Sequence, residues 1–339
     1  MEMVLVVDNG QPFETEPTGG QHECEVIYSG REHEAAERKR NWDNCRKNPG
    51  HQKFFSREDF VNTYLRRLQS GEKREDLRAM IDLTVKLSVF YVSPDRPDYD
   101  KLVKCRQIGR CSLGTGFIRF VSEPKYNKPC FCSKCHGKVA RKQWKFKVVT
   151  ARHVVYNTEE AEKTRVDLFY DDHSCAQDGT MKSVWGLRLP RSKPNRDSCC
   201  VLCVTCDESL GERIEYANRC RLVRDKLKPR DLLDIGLLSS SEKDCYPTLI
   251  VSHPHGEPKK ITVGQLRNLE KDIKNPRIDY NTPTCPGSSG AEVFSSVFRF
   301  FSPVHSGTDF KTSTQPNKFK GVTKFSGEQI NYGYDWLIG

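Results

Sequence analysis

The sequence predicts a mainly β protein with a small helical N-terminal extension, and three observations carry that expectation. From about Ser88 onward the chain is a succession of short β-branched or aromatic runs, among them "TGFIRFVS", "WKFKVVTA", "RVDLFYDD", "CCVLCV", "LLDIGLL", "TLIVSHP" and "KKITVGQL". Gly, Pro, Asn and Asp separate these runs, which is the pattern of a barrel or sandwich built from many short strands. Helical periodicity is confined to the stretch before Ser88, and no fixed-period repeat points to a solenoid. The 339 residues give room for one large domain or two modest ones with a real core.

Taken in order, residues 1–55 are rich in Glu, Arg, Lys, Gly and Asn; "REHEAAERKRNWDNCRKNPGHQ" has no sustained apolar face, so disorder or a solvated helix is expected there. Residues 56–87 form the helical extension. Ser56 is placed to cap a first helix, with Glu58 and Asp59 in its first turn, Phe60, Tyr64 and Leu68 along one side and Gly71 as its stop. "KREDLRAMIDLTVKL" reads as a second helix. Residues 88–313 make up the β domain, and 314–339 a polar tail around "YDWLIG".

Composition narrows the function classes. Only 36% of residues are hydrophobic, and no apolar stretch nears the roughly twenty residues that span a bilayer, so no membrane partner is expected. "MEMVLVVDNGQPFETEPTGG" lacks the basic n-region and long apolar core of a signal peptide, which predicts a cytoplasmic protein. The net charge of +10 is spread among 45 acidic residues; it allows nucleic acid as a partner without favouring it. Fifteen cysteines, an odd number without an export signal, point to a reducing compartment and to thiols or metal ligands.

The stretch "TPTCPGSSGAEVF" sets two serines between glycines just before an apolar run. Glycines permit a tight bend whose backbone N–H groups converge on an anion, although Pro, Gly and Ser also build ordinary loops. A serine held there needs a base and a group to orient the base. His153 in "VVTARHVVYN" is the candidate base. Asp234, an acid inside the apolar "LLDIGLL", is the candidate orienter, since a carboxylate there demands a partner.

These segments, in the order His, Asp, Ser, resemble those of the chymotrypsin-fold peptidases. Thr150, Ala151, Arg152 and His153 look like the family's TAxH; Asp234, Ile235, Gly236 and Leu237 like DIAL; Gly287, Ser288, Ser289 and Gly290 like GxSG; Gly114, Thr115, Gly116 and Phe117 like the preceding GxGF strand. The resemblance covers roughly Ser88 to Ser313 and implies a double β-barrel of the chymotrypsin type with the active site between the barrels. It implies Ser289 as nucleophile, His153 as general base and then acid, Asp234 as orienter, and the backbone N–H groups of Gly287 and Ser289 as oxyanion hole. Arg152 and Glu292 depart from the family's small residues at those positions. Cys285 stands on the approach to the turn rather than at its apex, which argues against it as nucleophile.

Thr284 and, on the later strand "FFSPVHSG", His305 resemble the pair that contacts Glu or Gln in Glu-specific and viral processing peptidases; a hydroxyl and an imidazole both donate to such side chains. Pro283 near the pocket floor argues against a basic-residue preference. His253 and His255 match no motif and read as loop residues. Two insertions are foreign to the family pattern: "PCFCSKCHGK" with Cys130, Cys132, Cys135 and His136, and "DSCCVLCVTCDE" with Cys199, Cys200, Cys203 and Cys206. Close C-x-C and C-x-x-C spacing suits a structural zinc, for which Cys130, Cys132, Cys135, Cys200 and Cys203 are the candidate ligands, while the same thiols along a strand suit a buried core. The leading expectation is a serine endopeptidase acting on protein or peptide, with no cofactor for its chemistry. The alternative is an inactive relative that binds peptide or nucleic acid in the same cleft.

Overall fold

The computed structural model describes residues 21–28, 31–98, 100–106, 109–193, 197–221, 231, 235–237, 246–269, 277–295, 303–309 and 330–334. In chain order the strands are β1 (Gln21–His22), β2 (Glu25–Tyr28), β3 (Phe55–Ser56), β4 (Thr84–Val89), β5 (Arg110–Arg119), β6 (Lys125–Pro129), β7 (Val139–Ala151), β8 (Thr164–Leu168), β9 (Lys182–Lys193), β10 (Ser198–Thr205), β11 (Pro247–Ser252), β12 (Lys260–Leu269), β13 (Arg277–Tyr280), β14 (Val293–Ser295), β15 (Val304–Asp309) and β16 (Ile330–Tyr334). The helices are α1 (Arg31–Asp43), α2 (Arg57–Thr63), α3 (Gly71–Leu83), α4 (Thr158–Glu162) and α5 (Glu208–Arg221).

Strands β5, β4, β8, β9, β10 and β7 pair in that order, and β7 returns to β5, closing an antiparallel barrel of six strands. Closure leaves no open edge within the ring. The second sheet runs β15, β16, β13, β12, β11, β14. Its ends meet where Glu292 bridges to Val304, the Val293 N–H donates to Pro303 O and the His305 N–H donates to Ala291 O. This is the mainly β double barrel that the sequence predicts.

Alternation fills the barrels: Val85, Leu87, Phe117, Phe146, Val148, Val201 and Cys203 are buried in the first, Ile250, Ile278, Tyr280, Ala291 and Val293 in the second. Helices α2 and α3 pack Phe60, Leu77, Met80 and Ile81 against Leu249, Val251, Ile261 and Phe294 of the second barrel. Ser56 caps α2 by accepting from the Asp59 N–H. Helix α3 ends at Leu83 and runs directly into β4 at Thr84, so "TVKL" is strand rather than helix.

The described part of the stretch expected to be disorder or a solvated helix contains the helix α1, and also strands that join the barrels. Strand β2 adds to β5, with Glu25 opposite Leu113 and Tyr28 opposite Arg110, and α1 follows it. Its polar side chains are held by ion pairs that periodicity cannot reveal, such as Arg38 with Glu34 at 2.7 Å and with Glu257 at 3.5 Å. Within the expected C-terminal tail, β16 pairs with both β13 and β15 and completes the second barrel. No helix among the described residues is long and apolar enough to cross a membrane.

Candidate active site

The loop from Cys285 to Gly290 carries Ser289 between glycines with φ of 92° at Gly287 and 91° at Gly290. A Cβ on Gly290 would lie 2.1 Å from Thr115 O, so both conformation and space require glycine there. The loop is tied across the barrel junction. The Thr115 N–H donates to Ser289 O at 2.8 Å, its hydroxyl donates to Gly287 O at 2.8 Å, and the Thr150 hydroxyl donates to Thr115 O at 2.7 Å. The GxGF-like and TAxH-like stretches thus brace the serine loop through one threonine pair.

His153 lies in the turn after β7. Its Nδ1 stands 2.6 Å from Asp197 Oδ2, its backbone N–H donates to Asp197 Oδ1 at 2.9 Å, and the Arg152 N–H donates to Asp197 O at 3.0 Å. Burial alone would raise the Asp197 pKa, but the charges of His153 and His22 and the hydrogen bonds from His153 hold it below the usual carboxylate range. Burial pushes His153 down, outweighing the attraction of Asp197. His153 Nε2 is buried without a hydrogen-bond partner among the described residues.

The acid beside His153 is therefore Asp197, which sequence reading passed over. Asp234, the candidate from sequence, lies outside the described residues. A signal for Asp197 was present: in "RDSCCVLCV" an acid directly precedes an apolar strand, β10, which pairs with β7 so that Ser198 faces Ala151.

Beside the serine, His305 Nδ1 stands 2.6 Å from the Tyr280 hydroxyl, which leaves Nε2 to meet the same carboxylate as Thr284. That carboxylate is the chain's own Glu23. Its Oε2 lies 3.1 Å from His305 Nε2 and accepts from the Thr284 hydroxyl at 3.1 Å, while Lys47 Nζ pairs with Oε1. Lys47 also donates to Thr284 Oγ1 at 3.0 Å. Burial would raise the Glu23 pKa, yet Lys47 and His305 hold it well below the usual range. The segment enters as a strand: β1 pairs antiparallel with β15, Gln21 opposite Thr308 and His22 opposite Gly307. The His22 ring stacks on His153 with centroids 4.2 Å apart. The Glu23 carbonyl oxygen accepts from the Ser289 hydroxyl at 2.9 Å and from the Gly287 N–H at 3.4 Å.

No family model and no curated protein matches the chain. Among solved structures, the chain is similar to Deg5 at 13% identity, covering 70% of this chain and 87% of that one with a TM-score of 0.34. It is also similar to the HtrA-type protease AlgW with tripeptide at 12% identity, covering 77% of this chain and 58% of that one with a TM-score of 0.35. The functional reading accordingly rests on the geometry of the site itself.

Among the described residues, His22, His153 and Asp197 of this site and two further groups bring together side chains that could hold a metal. Cys130, Cys132 and Cys135, in the loop between β6 and β7, meet Cys206 just after β10, with Cys206 Sγ 3.6 Å from Cys132 Sγ and 3.5 Å from Cys135 Sγ. Cys200 and Cys203 do not join them; both are buried within β10 in the core of the first barrel, because the strand continues to Thr205 and only Cys206 leaves it on the side of the loop. The second group is Cys45, His51, His255 and Cys285, all buried. The sequence places His255 in a loop and Cys285 on the approach to the serine turn, and no local spacing connects these four.

Proposed function

We propose that the protein is a serine endopeptidase that hydrolyses peptide bonds after glutamate. Ser289 Oγ attacks the carbonyl carbon and passes its proton to His153 Nε2; Asp197 holds the imidazole through Nδ1 and stabilises its charged form. The Gly287 and Ser289 N–H groups receive the developing oxyanion, a contribution of about 3 kcal/mol per donor in such sites. His153 then protonates the leaving amine, and water releases the acyl group. The carrying observation is the Glu23 carbonyl held between the Ser289 hydroxyl and the Gly287 N–H while its carboxylate meets Thr284, His305 and Lys47. The Lys47 ammonium favours a carboxylate over the neutral amide of glutamine.

The residues of the first cysteine group suit a structural zinc: four thiols at mutual distances near tetrahedral edges. The metal would clamp the β6–β7 loop to the end of β10, away from the serine chemistry. Such a site calls for the reducing surroundings that the cysteine content already suggests.

The test is hydrolysis of a fluorogenic peptide library by a Glu23→Arg chain, whose pocket no longer holds its own carboxylate. Cleavage after Glu is expected, falling to background in an added Ser289→Ala and weakening about 10- to 100-fold for Glu peptides alone in an added His305→Ala. Turnover that survives Ser289→Ala would remove the nucleophile, and an unchanged preference in His305→Ala would remove the pocket.

A further inference from the structure

The bond after Glu23 is presented to the site as a substrate would be, and we infer that the protein cleaves its own chain between Glu23 and Cys24. This rests on the peptidase reading above. On one side of the bond, β1 pairs with β15 and the His22 ring lies on His153. On the other, Glu25–Tyr28 is paired along β5, and Glu25 Oε2 lies 2.7 Å from His255 Nδ1 while Glu25 Oε1 accepts from Asn41 Nδ2 at 2.6 Å. Both flanks are thus fixed by sheet pairing and buried polar contacts, and the carbonyl between them is held at the nucleophile. Such positioning replaces a bimolecular encounter with an intramolecular one.

The chemistry balances with water as the only co-reactant. Ser289 Oγ bonds to the Glu23 carbonyl carbon as its proton moves to His153 Nε2. The Glu23–Cys24 C–N bond breaks and that proton passes to the Cys24 nitrogen. Water attacks the resulting ester, giving a proton to His153 and thence back to Ser289 Oγ. The products are a carboxyl group on Glu23 and an amine on Cys24. The segment ending at Glu23 then keeps only its pairing to β15 and its pocket contacts, whereas Cys24 onward stays on the first barrel through β2. Cleavage therefore leaves the segment in the cleft by non-covalent contacts alone, so that a competing substrate can displace it.

Intact-mass analysis of the freshly purified chain over time tests this. The expected result is a larger product beginning at Cys24, formed at a rate independent of protein concentration, with no such product from Ser289→Ala or from Glu23→Arg. Cleavage at the same bond in Ser289→Ala would assign it to another protease and overturn the inference. An uncut wild-type chain, alongside a Glu23→Arg chain that hydrolyses the peptide GQHECEVI, would overturn self-cleavage and leave the peptidase standing. Failure of both would remove the peptidase reading as well.

A second inference stands on different residues. We propose that Cys45, His51, His255 and Cys285 bind a structural zinc ion beside the serine loop. Their four ligand atoms lie within 4.8 Å of one another, with Cys45 Sγ 3.5 Å from Cys285 Sγ and Cys285 Sγ 3.4 Å from His51 Nε2. Zinc–sulfur bonds of about 2.3 Å set two tetrahedral thiolates roughly 3.8 Å apart, close to that spacing. Glu25 on His255 Nδ1 directs the buried Nε2, which has no hydrogen-bond partner, toward the group, the arrangement by which a carboxylate orients a metal-binding imidazole. The ion would join the segment after α1 to the loop carrying Ser289. Elemental analysis should find two zinc ions per chain: one lost in Cys45→Ser or His51→Ala, the other in Cys132→Ser. Cobalt substitution should give the absorption of a two-thiolate site that Cys45→Ser abolishes. A zinc content unchanged by both Cys45→Ser and His51→Ala would overturn it.

Discussion

Asp197 keeps its charge in a nearly closed site, with 8% of its side chain exposed, because His153 offers it both a backbone and a ring N–H. The same contacts fix the imidazole tautomer, with Nδ1 protonated and Nε2 basic. Asp197→Asn should preserve the shape of the site but favour the opposite tautomer, lowering kcat on Glu peptides by about 10³- to 10⁴-fold. Asp234→Asn, measured in parallel, should leave kcat near that of the parent; the reverse pattern would transfer the role to Asp234. The pH profile carries the same logic. Burial lowers the His153 pKa, and the base must be neutral to act. The rate should therefore be level above the ordinary histidine value of about 6.5 and fall only on the acid side of it.

At the scale of elements, the strands were legible where apolar residues alternate, and the serine loop where glycines demand positive φ. Strand β10 was only half legible. Cysteine is both a small apolar residue and a metal ligand, so "SCCVLCVTC" reads equally as core or as a ligand run. In the fold, Cys199 Sγ lies 3.3 Å from Val155 O, Cys200 and Cys203 are buried in the barrel, and Cys206 alone reaches the loop cysteines. The strands β1 and β2 carry almost no local signal. They are only two and four residues long, too short for alternation to stand out; β1 is polar, and in β2 the apolar Ile27 is buried against Cys111 and Leu113 of β5.

Across the whole molecule, the two barrels and α5 are joined by a buried charge network. Glu292, three residues after Ser289, lies 2.7 Å from Arg119 of the first barrel and 2.8 Å from Arg221 of α5; Arg221 in turn lies 2.7 Å from Asp76 of α3. Glu292→Ala would remove this carboxylate from both cations; because Arg221 keeps Asp76 and Arg119 is partly exposed, it should destabilise the fold by about 1–3 kcal/mol, seen as a lower urea midpoint with the m-value unchanged. An effect below 1 kcal/mol would place the two barrels' cohesion elsewhere. By itself the sequence determined the β class, the bend that carries Ser289 and the turn that carries His153, because these follow from short-range patterns; the pairing of Thr284 with His305, 21 residues on, was legible only through the family resemblance. Only the tertiary structure decided which acid stands at His153, which thiols meet, and which segment fills the cleft. Those partners lie 44 residues apart for His153 and Asp197, 71 for Cys135 and Cys206, and 266 for Ser289 and Glu23. Burial and charge pairing select such contacts from the whole fold, and no local pattern records them.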